Sequence, residues 1–366
     1  MIPFLNREPH QPQAPQPEIA PLAIETELWT PGKPETQNLD PKLEKAIGDV
    51  VREMNRADAH QTLHDLQRQV RMSENSVVTA MLYGRNRSEY SDNEAMVMFN
   101  PFANMATPNM LVRAEFIRRV AKEMGVTDDK GKLKPVIMIA APGPGHGLRL
   151  TQADREEIEH GNLGPAAKEL LEGIKRYDMG KVAMLGFSQG ADVALAGAQE
   201  AYSGNFDVDA LSLGDPAGVH DRTTKDISKD FRKTGLGALR QAGKATGLKV
   251  QQKALLGITG WGIGGIAKFG LASQTPTNKL LWKGMTVDSF KANMQAVLDE
   301  GRVSKLVVGY GGDSAIAKPE WIEPAIDELY DENSSEAFIS IKVAGANHTW
   351  GDNLELLTKL YMRALV

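Results

Sequence analysis

The stretch Val182-Ala183-Met184-Leu185-Gly186-Phe187-Ser188-Gln189-Gly190-Ala191 constrains this chain more than any other. Val182 to Leu185 reads as a buried strand and runs straight into Gly-x-Ser-x-Gly, and Asp192 to Tyr202 reads as the helix behind it. A strand that becomes a helix within a few residues strains the backbone at the bend. Side chains two places before and two places after the bend would strike neighbouring backbone, which accounts for glycine at 186 and 190. Such a bend presents the Ser188 hydroxyl at the edge of the sheet. It also aims the Gln189 N–H, at a helix start, where an oxyanion would form. Ser188 is the candidate nucleophile and Gln189 the candidate oxyanion donor.

A serine hydroxyl is a poor nucleophile at neutral pH and needs a base, which in turn needs an acid to orient it. On a sheet with this kind of elbow the chain order is serine, acid, histidine. Only His220 and His348 follow Ser188. His348 stands between the last expected strand, Ile339 to Val343, and the closing helix, Asn353 to Leu365, so a loop there can carry its imidazole over the sheet edge. His220, at the start of an inserted segment, is the alternative base. Two aspartates end strands in the interval. Asp313 follows Leu306-Val307-Val308-Gly309-Tyr310-Gly311-Gly312, and its 35-residue separation from His348 accommodates one helix and one strand, which would set the two loops side by side. Asp215 follows Leu211-Ser212-Leu213-Gly214, one strand earlier. Asp313 is the expected acid and Asp215 the alternative; either could instead satisfy its own turn backbone.

The elbow sits in a wider rhythm. Strands are expected at Val77 to Tyr83, Ala95 to Phe99, Pro135 to Ala141, Ala210 to Leu213 and Leu306 to Gly309, and helices from Thr107-Pro108 and over Pro165 to Tyr177. That alternation predicts an α/β fold: a mostly parallel central sheet with helices on both faces. The core is expected over 76–220 and 284–366. Before it, residues 1–41 hold nine of the 19 prolines and are expected to be extended or disordered, with a short strand within Leu22 to Trp29. Residues 42–72 read as one helix with Leu43, Ala46, Ile47, Val50, Val51 and Met54 on its apolar face, within an N-terminal helical segment running to 75. Residues 221–283 break the rhythm: 12 Lys/Arg against three acids give this piece +9, leaving −14 on the rest of a chain whose total is −5. It is expected to be a cap over the sheet's carboxyl edge, helical and basic in its first half and Gly-rich and apolar in its second. Its charge would suit an anionic lipid or envelope surface, an acidic substrate, or the acidic body of the same protein.

Composition excludes other chemistries. There is no cysteine, so disulfides, thiolate metal sites and a cysteine nucleophile are ruled out. A net charge of −5 gives the whole chain no nucleic-acid footprint. His60 and His64 share a helix face, but Gln61 stands where a zinc protease has glutamate, so no metal site is expected. Gly143-Pro144-Gly145-His146-Gly147 lacks the Lys-Ser/Thr ending of a phosphate loop. The start of the chain does not read as a signal peptide, and Ala254 to Ala272, with six glycines and Lys268, reads as a buried or lid segment rather than a span; a cytoplasmic protein is expected, with non-classical release as the alternative.

Over residues 76–366 the chain resembles the α/β-hydrolases. Gly186-Phe187-Ser188-Gln189-Gly190 is similar to that family's nucleophile elbow, Pro144-Gly145-His146-Gly147 to its Pro-Gly-x-Gly turn, and Asp313 and His348 stand where its acid and base usually do. The wording Gly-Phe-Ser-Gln-Gly-Ala is also similar, over six residues, to cutinase-like and phage cell-envelope esterases. The resemblance implies a serine esterase or lipase-like enzyme that needs no metal or organic cofactor and acts on a small-molecule or lipid ester. One departure bears on the oxyanion hole. Where the family commonly has His-Gly, this chain has Asn100-Pro101-Phe102, and proline has no N–H to give. Phe102 or Ala103 would have to supply the second donor, with the Asn100 side chain assisting, and His146 would be a substrate contact or a solvent-facing turn residue. A binding protein with a vestigial triad, and acyl transfer, amide cleavage or perhydrolysis on the same triad, are the rival readings.

Overall fold

A computed structural model describes residues 26–30, 33–35, 40–72, 77–84, 86–99, 108–139, 148–202, 207–231, 275–301, 303–333 and 338–366. Its centre is a ten-stranded sheet in the order β2-β1-β10-β9-β8-β7-β5-β6-β4-β3. The strands are β1 (Thr26–Thr30), β2 (Lys33–Glu35), β3 (Val70–Met72), β4 (Val78–Leu82), β5 (Glu94–Phe99), β6 (Val136–Ile139), β7 (Lys181–Phe187), β8 (Asp207–Gly214), β9 (Lys305–Gly311) and β10 (Phe338–Val343). From β6 to β10 every pairing is parallel, while β3 and β4 at one end and β1 and β2 at the other are antiparallel additions.

The parallel strands β5 to β9 are buried on both faces, and their side chains divide with period two. Val97, Phe99, Val182, Met184, Leu211, Leu213, Leu306 and Val308 pack into one core beneath helices Gly164–Glu172, Gln189–Tyr202 and Phe290–Glu300. Met96, Met98, Ala183, Leu185, Ala210 and Val307 pack into the other, beneath Pro41–Arg56, Pro108–Met124 and Leu354–Leu365. The predicted three-layer α/β architecture is the observed one.

Local departures from expectation have local causes. The apolar face expected on the first helix is the buried face found: Leu43, Ala46, Ile47, Val50, Val51 and Met54. The helix does not run to residue 72. Asp58 adopts an extended conformation, accepts the Gln61 N–H and caps a second helix, Ala59–Gln67; residues 70–72 then turn out into β3. Residues 26–30 and 33–35 form an antiparallel pair docked on β10, a strand slightly later than the one expected near the N-terminus. Helix Gln152–Glu159 is absent from the sequence reading because only Ile158 on it is buried; a Thr151–Asp154 capping box starts it. Helices Pro276–Gly284 and Phe290–Glu300 were likewise not anticipated, whereas Pro319–Asn333 is the one helix expected between Asp313 and His348. The expected cap, 221–283, is described only at its ends: residues 224–231 are helical, and helix Pro276–Gly284 packs on Gln152–Glu159 with Lys283 paired to Glu159 at 2.5 Å. At that end the basic segment meets the acidic body of its own chain. The apolar run 254–272 lies outside the described residues. Among the described residues no helix is long and apolar enough to cross a membrane, and no cluster of His, Asp and Glu is set to hold a metal.

Helix Pro108–Met124 carries a buried charge network. Glu115 accepts two bonds from Arg118 at 2.7 Å and one from Arg119 at 2.6 Å. Burial pushes the Glu115 carboxyl up, but the two guanidinium groups outweigh it and hold the group below the usual glutamate range. Glu115→Ala would leave Arg118 buried without its partner, and is expected to cost about 3–5 kcal/mol in urea unfolding. The sign with pH follows from the depressed value. The carboxylate's contribution is present above the ordinary glutamate pKa and is lost as pH falls through the lowered one, so the gap between wild type and variant should narrow in acid.

Candidate active site

The elbow is built as the sequence requires. β7 ends at Phe187, helix Gln189–Tyr202 begins two residues on, and Ser188 between them has φ +55°. An L-residue there is strained. Two backbone bonds hold it: Ser188 N–H donates to the Gly214 carbonyl at 2.7 Å and the Ser188 carbonyl accepts from Ala191 N–H at 2.8 Å. A Cβ on Gly186 would fall 2.1 Å from the Gly190 carbonyl oxygen, so only glycine lets the strand and the helix approach this closely. Gly186→Ala is expected to cost about 3 kcal/mol and to remove activity with it, since the clash is with backbone that cannot rotate away; denaturant midpoints and circular dichroism of the variant check this.

His348 begins a 3₁₀ turn, His348–Asp352, after β10. Its Nε2 lies 2.8 Å from Ser188 Oγ, and its Nδ1 is hydrogen-bonded to Asp215 Oδ2. A carboxylate can only accept, so Nδ1 carries the proton given to Asp215, and Nε2 is left to accept from the Ser188 hydroxyl. All three side chains are buried: Ser188 is 3%, His348 4% and Asp215 0% exposed. Parallel strands thus bring to one edge a serine on the β7 elbow, a carboxylate after β8 and an imidazole after β10. The sheet is the mostly parallel α/β sheet that the sequence predicts, with the three side chains at the carboxyl ends of its strands.

No family model matches the chain, and no curated protein does. Among solved structures, a carboxylesterase from Nitrososphaera gargenis has a TM-score of 0.47 at 14% identity, over 80% of this chain and 95% of its own. An esterase from Exiguobacterium antarcticum has 0.47 at 13%, over 81% and 98%. A bromoperoxidase from Bacillus anthracis has 0.47 at 9%, over 80% and 99%.

On this sheet the partner of His348 is Asp215 and not Asp313, which corrects the order expected of the two carboxylates. The reason lies at the strand ends. Asp215 turns at φ +47° immediately after β8, and its N–H donates to the Gly309 carbonyl of β9. That turn sends its carboxylate inward, where Oδ1 accepts from Gly311 N–H at 2.7 Å and Trp350 Nε1 at 3.2 Å, and Oδ2 accepts from Ser314 Oγ at 2.7 Å as well as from His348. Four donors from two stretches of chain, 311–314 and 348–350, fix the carboxylate's position. Asp313 does reach the histidine loop, but only by its backbone: its N–H donates to the Ala346 carbonyl at 2.8 Å while the residue is exposed. His220, the alternative base, is also exposed and stacks on Trp321, with ring centroids 4.6 Å apart. Ser314 and Trp350 reach Asp215 from 99 and 135 residues along the chain, and no sequence pattern marks them as its donors.

Gln189 is the first residue of its helix, a position whose N–H has no intrahelical acceptor. Phe102, Asn100 and His146, expected as second oxyanion donor and substrate contacts, lie outside the described residues. Apolar rings surround the imidazole: Phe187 at 5.7 Å and Phe231 edge-on at 5.1 Å, with Phe231 in turn 5.1 Å from Trp282. Phe231 and Trp282, from the two described ends of the basic insert, pack with Ala217, Met285 and Ile316 in a small apolar cluster.

Proposed function

We propose that the protein is a serine hydrolase that cleaves a carboxylic ester. The observation that carries this is the unbroken chain Ser188 Oγ, His348 Nε2, His348 Nδ1, Asp215 Oδ2 on a strained elbow. Ser188 Oγ attacks the ester carbonyl carbon while His348 Nε2 takes the hydroxyl proton. The carbonyl oxygen becomes an oxyanion, held by the Gln189 N–H and a second backbone donor assigned to Phe102. Asp215 keeps the imidazole in its working tautomer and offsets its positive charge. His348 then returns the proton to the departing alkoxide, and the C–O bond to the alcohol breaks. A water deprotonated by His348 attacks the acyl carbon, the acid leaves, and the proton returns to Ser188 Oγ. No step calls on a cofactor.

The apolar cluster beside His348 supports an amphiphilic or lipid-like ester, with the basic insert meeting the anionic surface that carries it. The test is a series of p-nitrophenyl esters from acetyl to long acyl chains, with and without anionic phospholipid vesicles. Stoichiometric release of nitrophenol and free acid well above the buffer rate is expected, rising with chain length and with vesicles. A rate flat across chain length and untouched by vesicles would remove the lipid-like substrate; no release on any ester would remove the hydrolase.

A further inference from the structure

One buried carboxylate near the triad has no part in the proton relay. Asp192 lies in the first turn of the helix that begins at the elbow, four residues after Ser188, and is 7% exposed. Its Oδ2 accepts the Ala217 N–H at 2.9 Å and its Oδ1 the Gly218 N–H at 3.1 Å. Both donors belong to the loop that carries Asp215. The same loop is gripped elsewhere: the Gly218 carbonyl accepts from Ser289 and Phe290 N–H at 3.1 Å each, and the Ala217 carbonyl from Arg222 Nη2 at 2.5 Å. Of these anchors, Asp192 alone ties the loop to the nucleophile's own helix. Asp215 holds a positive φ two residues before the first of the two N–H groups, so a shift of that pair moves the carboxylate that orients His348.

We infer that Asp192 is a positioning residue for the reaction: ionised, it locks the Asp215 loop to the Ser188 helix, and without its charge the loop and the imidazole lose their register with Ser188 Oγ. The inference rests on the catalytic reading of Ser188, His348 and Asp215 given above. A neutral carboxyl has only one oxygen that accepts freely, so it cannot hold both N–H groups as the carboxylate does. The titratable and charged groups facing Asp192 are Arg222 on the clamped loop, whose charge favours the ionised form, and His348 on the turn after β10, which does so only when protonated. Burial acts against them and against the two N–H donors, and pushes the carboxyl up to about 6. The lock is therefore engaged above about pH 6 and released below it. There, protonation of Asp192 frees the loop and removes activity.

The experiment compares wild type, Asp192→Asn, Asp192→Ala and Ser188→Ala for labelling rate by a fluorophosphonate and for kcat and KM on p-nitrophenyl butyrate from pH 5 to 9. Asp192→Ala is expected to slow labelling and kcat at pH 8 by about 10- to 100-fold with KM changed by less than about 2-fold, the cost of a small misplacement. The acid limb of log kcat in wild type is expected to be steeper by one proton than that of Asp192→Asn, because the amide does not titrate. If Asp192→Ala fails to fold by circular dichroism, the slope of the Asn variant decides. Wild-type labelling rates in both variants, or equal slopes, would overturn the inference while leaving the triad standing. No Ser188-dependent labelling of wild type would overturn the triad and this inference together.

Discussion

Ser188→Ala is expected to lower kcat on an activated ester by about 10⁶-fold, to the residual rate that binding and oxyanion donors supply without a nucleophile. KM should change little, because the hydroxyl contributes to the transition state far more than to ground-state binding. His348→Ala should cost nearly as much alone, and the double variant no more than either single one. That non-additivity is the signature of groups that act as a unit: a serine without a base gains nothing from its position, and a base without a serine has no proton to take. Additive losses would mean that the 2.8 Å contact between Oγ and Nε2 is incidental to the reaction. Steady-state kinetics with active-site titration measure all three variants.

Asp215→Ala is expected to lower kcat by about 10⁴-fold, whereas Asp313→Ala should stay within about 3-fold of wild type. Asp215 is sealed from solvent beneath four donors and bonded to His348 Nδ1; Asp313 lies exposed on the neighbouring loop and touches the histidine segment only through its N–H. Asp215→Asn should be nearly as damaging as alanine. Its amide nitrogen can present N–H to Nδ1 and drive the imidazole to the tautomer in which Nε2 carries the hydrogen and cannot accept from serine. A large loss in Asp313→Ala with full activity in Asp215→Ala would reverse the assignment of the two carboxylates.

The contrast between these aspartates shows where the sequence speaks and where it falls silent. The elbow was legible because its demand is steric and local: Gly186 is fixed by an approach of backbone to backbone that no side chain permits. The three-layer sheet was legible because apolar runs such as Val136 to Ile139 and Val182 to Leu185 can be buried only on both faces. His348 was legible by elimination, with only two histidines after the serine. The acid was not, because two strand ends each offer an aspartate at a workable distance. What separates them is a dihedral angle, φ +47° at Asp215, together with the inward donors Ser314 and Trp350, and neither is a pattern along the chain. Asp192 escaped notice for a related reason. In sequence it is a polar residue near a helix start, an ordinary place for an acid. Only the return of the chain at 217 and 218 gives it two donors to hold. The break at Asp58 shows the same limit from the other side: hydrophobic periodicity marked the buried face of Pro41–Arg56 residue by residue, but it carried no information on where a capping aspartate ends one helix and begins the next.

The most direct test of the central claim is intact-mass and peptide-mass analysis after incubation with a fluorophosphonate at pH 8. One phosphonyl group per chain on the peptide that contains Ser188, formed in wild type and absent from His348→Ala and Ser188→Ala, is the result predicted here. An unmodified chain, or an adduct placed on any other residue, would contradict it.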